Sequence, residues 1–235
     1  MHNTTDLIKN LTKNELTLNS SFNFDCNRCG DCCKGRVDIL LSFRDVYRIA
    51  KTLKKTAEEV VNRYCETYIG PSSKIPLLRL KPKGDKKICP LLKGNKCCVH
   101  ENKPIVCALY PIGRIYFFEN PFDDATGRVA YVNNATTCYS SHKKYKVREW
   151  LEKFNIPIND DFFFKWQKCI FNFSNFIYKL EKSDNKNIRI KNMVWSIMFA
   201  ALYLNIDTRE EVNSQFQSNV EEVLVILNDL ESLLN

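Results

Sequence analysis

Past Gly127 this chain has no glycine for its remaining 108 residues, and of its eight prolines only Pro157 lies beyond Pro121. Tight turns are therefore concentrated in the first part of the chain, and the rest reads as helices joined by few loops. No apolar run is long enough for a bilayer: the longest, Val194 to Ile206, covers 13 residues, against about 20 for a spanning helix. The Met1 region is polar and has neither the apolar core nor the small-residue cleavage site of a signal peptide, so a reducing cytoplasm is the expected compartment. Histidine is scarce as well. His2, His100 and His142 stand far apart in sequence, and none has a serine-type elbow beside it to make a nucleophile and base pair.

Cysteine, by contrast, is abundant, at 11 of 235 residues. Four thiols fall within Cys26–Cys33, in the order CNRCGDCC. Cys26, Cys29 and Cys32 follow the C-x-x-C-x-x-C spacing in which a turning backbone can aim three thiolates at one point, as iron-sulfur loops do. Zinc loops share only the C-x-x-C half of that pattern. Successive side chains of an extended backbone diverge, so Cys32 and Cys33 are poorly placed to share one ion. Their adjacency points to a polynuclear cluster, two neighbouring centres or one spare thiol. A second group, Cys89, Cys97, Cys98 and Cys107, lies in CPLLKGNKCCVHENKPIVCALYP. Cys138 sits in an Asn/Thr/Ser segment where a core thiol would be out of place, and counts as a further candidate ligand. Cys65, near Val61, and Cys169, in an aromatic stripe, fall on apolar helix faces and read as small core residues. In a reducing compartment, thiols clustered this way usually mean metal.

The two groups together resemble the YkgJ-like family of CxxCxxCC proteins, described as a zinc- or iron-chelating domain. The family's later signature runs roughly C-P-x-L, a short turn, then C-x-x-Y-x-x-R-P-x-x-C-R-x-F-P. Cys89, Pro90, Leu92, Cys97, Pro104, Cys107 and Pro111 fall on it. The step from Cys97 to Pro104 sets the register and leaves Cys98 as an extra. His100 stands where Tyr is usual, Lys103 and Ala108 where Arg is usual, and Tyr110 where Phe is usual; these departures spare the cysteines. The resemblance covers about residues 22 to 140. With the residue reading, it implies a metal centre held by Cys26, Cys29, Cys32, Cys33, Cys89, Cys97, Cys107 and Cys138. His100 is expected in a supporting role rather than as a ligand. Cys89-Pro90 resembles the Cys-Pro that closes an iron-sulfur site, which favours such a cluster over zinc; 4Fe-4S is the expected type, while the residues themselves leave the nuclearity open.

The net charge of +8 is unevenly spread: residues 1–140 hold 22 Lys and Arg against 14 Asp and Glu, and residues 141–235 hold 13 of each. Metal-bound thiolates are anionic, and a basic surround stabilises them. No nucleic-acid motif accompanies the scattered lysines, so a protein partner is expected rather than a nucleic acid.

With 44% hydrophobic and 12% aromatic residues the chain can bury a core. The expected fold class is α+β: a small metal-stabilised cysteine domain over residues 1–140, then an all-α domain over 141–235. Helices are expected at 6–20, from the Ser42/Asp45 signature to about Lys55, and from Thr56/Glu59 to about Tyr68. Others are expected from Ser141 to Phe154, from Asp160 or Asp161 through Leu180, and at 188–204 and 219–234. Strands are expected at 37–42, 77–81, 114–118 and 128–132. The leading function is an iron-sulfur protein with a redox, sensing or maturation role in a complex. Flagellin lysine N-methylases resemble the family in the cluster and imply an enzyme using S-adenosylmethionine on a protein lysine. The chain has no glycine-rich loop after a strand to hold that cofactor. A structural zinc module binding a protein or nucleic acid is the third class.

Overall fold

The computed structural model describes residues 14–24, 26, 28–118, 127–133, 143–183 and 188–234. Its first long helix, α1 (Phe43–Leu53), starts where Ser42 and Asp45 cap each other: Asp45 N donates to Ser42 Oγ at 3.2 Å and Ser42 N returns to Asp45 Oδ2 at 2.9 Å. Thr56 and Glu59 repeat the device for α2 (Ala57–Tyr64). That helix stops earlier than expected. Cys65–Ile69 is a strand, β3, paired antiparallel with β4 (Pro76–Leu80), because Thr67, Tyr68 and Ile69 favour a pleated ladder over another helical turn. Cys65 is buried there, on a strand rather than a helix.

The N-terminal segment is not helical over residues 14–20 either, but holds a two-residue strand and then a turn closed by Ser20 N donating to Thr17 O at 3.0 Å. Glu15–Leu16 forms β1 on the edge of β8 (Gly127–Asn133), which pairs in turn with β7 (Ile112–Phe118). Residues 6–13 lie outside the described residues. Ser21–Asn23 forms β2, paired with β9 (Lys144–Lys146). The expected strand at 37–42 is reduced to one bridge, Leu40 to Arg79, although Ile39 and Leu41 still turn inward and bond β4 through Leu41 N to Leu78 O and Leu80 N to Ile39 O.

Helix α4 (Val147–Lys153) begins at Val147 with Glu149 bonding Lys146 N at 2.8 Å; Ser141, its expected cap, lies outside the described residues. Asp160 caps α5 (Asp161–Lys182). Helix α6 (Ile188–Phe199) runs into a π-turn at Ala200–Leu204, and α7 spans Val212–Leu234. The architecture is therefore mixed α+β with a helical C-terminal region, and among the described residues no helix is long and apolar enough to cross a membrane.

Two apolar clusters form the core. The larger joins α1, α2 and β4 to α5, α6 and α7, with Phe216 packed 5.4 Å from Phe43 and 5.0 Å from Phe162. The smaller gathers Phe22, Phe24, Leu109, Ile112 and Val147 around Trp150. Both take residues from either side of residue 140. A buried ion network ties the same parts together: Asp160, 3% exposed, accepts from Arg44 at 2.8 and 2.5 Å and from Arg114 at 3.0 Å. Burial alone would raise its carboxyl, but the two guanidiniums outweigh this and hold it below the ordinary aspartate value.

Candidate metal centre

Gly30 takes φ 78°, a left-handed conformation that a side chain adopts only with strain, and starts the 3-10 turn Asp31–Cys33. The loop lies against the hairpin β5–β6 (Leu92–Lys93 and Lys96–Cys97), where a Cβ on Gly30 would meet Leu92 and the Asn95 carbonyl only in ordinary contact, so it is the backbone conformation that calls for glycine. The tight turn overturns the divergence argument for the adjacent pair. In the turn the Sγ atoms of Cys32 and Cys33 are only 4.0 Å apart.

The two cysteine groups meet through the backbone before any metal is considered. Cys89 N donates to Cys33 O at 2.8 Å, and Gly35 N donates to Lys86 O at 3.1 Å. Cys107 arrives on a five-residue helix, α3 (Ile105–Leu109), far too short to stand alone. It is held at both ends. Asp45 Oδ1 accepts from Ile105 N at 2.8 Å, and Trp150 Nε1 donates to the carbonyls of Ala108 and Leu109, each at 3.1 Å. Neither role could be read from the sequence, where Asp45 looks like a helix cap and Trp150 like core; both depend on partners 60 and about 42 residues away.

Seven thiols, those of Cys26, Cys29, Cys32, Cys33, Cys89, Cys97 and Cys107, line one cavity of about 300 Å³. Cys98 is not among its lining residues, and its N–H is bonded to Leu91 O at 2.9 Å. Cys138 lies outside the described residues. The wall also carries Arg28, Arg36, Lys96 and Lys103 against Asp31, so its fixed charge is positive. Arg36 is braced by Asp38 at 2.5 and 2.9 Å. His100 lines the cavity too, and burial pulls its pKa down, leaving a neutral imidazole at pH 7.

Crowding and burial keep most of these thiols protonated. The hydrogen bond with Cys32 pulls Cys33 down, but its bond with Cys89 together with burial outweighs this and leaves it at about 11. The bond to Cys33 and burial push Cys32 up, and burial pushes Cys97 and Cys107 up. Cys89 goes the other way, lowered by its bond with Cys33. Several thiolates cannot share this space without a cation, and a bound cation is what would stabilise them. Among the described residues no three His, Cys, Asp or Glu side chains converge on one point; the thiols ring a cavity instead. A donor set of soft sulfur with a basic wall fits zinc or iron and is a poor match for oxygen-seeking calcium or magnesium.

A ring of thiols drawn from distant stretches of chain and set in a basic wall has the donor chemistry of a cysteine-type metal centre. Residues 25–139, just under half of the chain, match the family model described as "CxxCxxCC: Putative zinc- or iron-chelating domain". The chain is also similar to "Uncharacterized protein MJ0661" of Methanocaldococcus jannaschii, 31% identical over 88 residues, which is 37% of this chain and 44% of that protein. The match thus spans less than half of the relative's length. No solved structure matches the chain.

Proposed function

We propose that the cavity holds an iron-sulfur cluster and that the protein serves a redox, sensing or maturation role in a protein complex. The thiolates would be drawn from Cys26, Cys29, Cys32, Cys33, Cys89, Cys97, Cys107 and Cys138. The observation that carries this reading is the seven thiols around one cavity, more than the four that close a structural zinc site. The C-x-x-C-x-x-C loop and the Cys89-Pro90 step support it. Such a cluster, when bound, supplies one-electron transfer or sensitivity to oxidants. The chain's part is to pin Cys33 to Cys89, to present Cys107 on a clamped helix, and to offset thiolate charge with Arg28, Arg36, Lys96 and Lys103.

Zinc is the second reading, favoured by one distance. The 4.0 Å between Cys32 and Cys33 sulfurs is near the ~3.8 Å edge expected for tetrahedral thiolates with Zn–S of about 2.3 Å. Metal and acid-labile sulfide analysis of anaerobically purified protein decides between them. Iron with matching sulfide is expected; stoichiometric zinc without iron overturns the cluster.

A further inference from the structure

Away from the thiols, a half-buried cation stands without a hydrogen-bonding partner. Arg44 and Arg48 are four residues apart on α1 and share a face, where like charges repel. Arg44 is satisfied: it donates to Asp160 at 2.8 and 2.5 Å and lies 4.4 Å from the centre of the Phe162 ring. Arg48 is not. Among the described residues its guanidinium makes no hydrogen bond and no ion pair, although it is only partly exposed. Burial, helped by Arg44, outweighs the pull of Asp45 and Asp160 and lowers its pKa. Those two carboxylates are already engaged, Asp45 by Ser42 and Ile105, Asp160 by Arg44 and Arg114. Three guanidiniums thus stand against two carboxylates.

Both α1 arginines line a cavity of about 200 Å³ that also touches the start of α3, the loop at 155–157 and the start of α7. Its other polar residues are Asn155 and Tyr47, whose hydroxyl donates to the Glu210 carbonyl at 3.2 Å. Ile105, Pro157 and Val212 make the remaining wall apolar, and no carboxylate is among the lining residues described. We infer that this cavity binds a small phosphate group, held by the Arg48 and Arg44 guanidiniums with the Asn155 amide beside them. A guanidinium fork matches the oxygens of a phosphate, and the dianion answers two cations where a carboxylate answers one. A water takes about 30 Å³ of liquid, so the space admits a tetrahedral oxyanion. The site goes beyond the metal reading and does not depend on it.

The test is isothermal titration of the full chain with inorganic phosphate and with phenyl phosphate at constant ionic strength, beside thermal melts in phosphate and in chloride. Saturable binding to wild type is expected. Tighter binding of phenyl phosphate would identify a phosphate-ester site that uses the apolar wall, and equal binding a site for free phosphate. Arg48→Gln should weaken binding at least about tenfold, the loss of a charge-assisted contact. Arg63→Gln removes the same charge at an exposed position outside the cavity and should bind as wild type does. In chloride Arg48→Gln should melt no lower than wild type, because it removes a half-buried cation and its repulsion by Arg44. Near-saturating phosphate should then raise the wild-type midpoint by about 2–4 °C more than the variant's. Wild type without saturable binding overturns the site, a readout that needs no variant to fold. Equal weakening by Arg48→Gln and Arg63→Gln overturns it as well, since general charge attraction would suffice. An Arg48→Gln protein that melts well below wild type in chloride would make Arg48 a structural residue and overturn it too.

Discussion

Replacing Asp45 by Asn should damage a helix and a metal ligand at once. Its carboxylate, 3% exposed, accepts from Ser42 N at 2.9 Å, Ser42 Oγ at 2.7 Å and Ile105 N at 2.8 Å. Hydrogen bonds to a charged acceptor contribute about 1.5–3 kcal/mol each, and they are not additive. An amide of the same shape can still accept from Ile105, but its NH2 then faces the Ser42 N–H, leaving a buried donor unmet. A loss of about 3 kcal/mol follows. Guanidinium unfolding followed by circular dichroism should show a lower midpoint with an unchanged slope. Chelator competition should show weaker metal binding as well, since α3 and Cys107 lose their N-terminal anchor. Asp161→Asn, at an exposed carboxylate that pairs with Lys165 one helical turn on and lies away from the cavity, serves as the control and should stay within about 0.5 kcal/mol of wild type. An Asp45→Asn protein equally close to wild type in stability and metal affinity would refute the clamp.

Asp160 is held below its ordinary pKa when folded, so its contribution is fully present above the unfolded value near ~3.9 and is lost as pH falls through the folded value. Asp160→Asn should flatten the acid limb of a stability-against-pH profile and cost about 3–5 kcal/mol at neutral pH by stranding Arg44 and Arg114; an unchanged acid limb would count against it. Metal affinity should rise with pH across the neutral range, because Cys33 at about 11 and the raised Cys32, Cys97 and Cys107 give up protons on ligation. Each displaced proton contributes about tenfold per pH unit, and a flat profile from isothermal titration would show that these thiols are not ligands. Residues 141–235 expressed alone should keep a helical circular dichroism spectrum through the Phe162, Trp166 and Phe216 contacts, yet bind a hydrophobic dye where Phe43 has been removed; a coil spectrum would reject residue 140 as a folding boundary.

Local chemistry explains which parts of this fold were legible in advance. The Ser42/Asp45 and Thr56/Glu59 boxes, the aromatic stripe of α5 and the strands β7 and β8 announce themselves because each is decided by neighbours in sequence. The failures came where distant chain decides. Cys65–Ile69 leaves its helix to pair with Pro76–Leu80, and Glu15–Leu16 becomes a strand because β8 offers an edge more than 100 residues later. Within the site, thiol identity and grouping were visible, and the closeness of Cys32 and Cys33 was not, because it depends on the left-handed turn at Gly30. The anchoring of Cys107 through Asp45 and Trp150 was equally hidden.

The clamp on α3 also sets an order of events during synthesis. Chains emerge N-terminus first and fold as their partners arrive. The loop at 26–33 and the hairpin at 92–97 can associate as soon as both are made, but Trp150, which caps the carbonyl end of the Cys107 helix, follows more than 40 residues later. A nascent chain stopped before Trp150 therefore offers a cavity with its Cys107 wall unset, and metal captured at that stage is poorly enclosed. The last wall closes only once Trp150 has been made and has reached the carbonyls of Ala108 and Leu109, so enclosure of the site comes later than the synthesis of the thiols that line it.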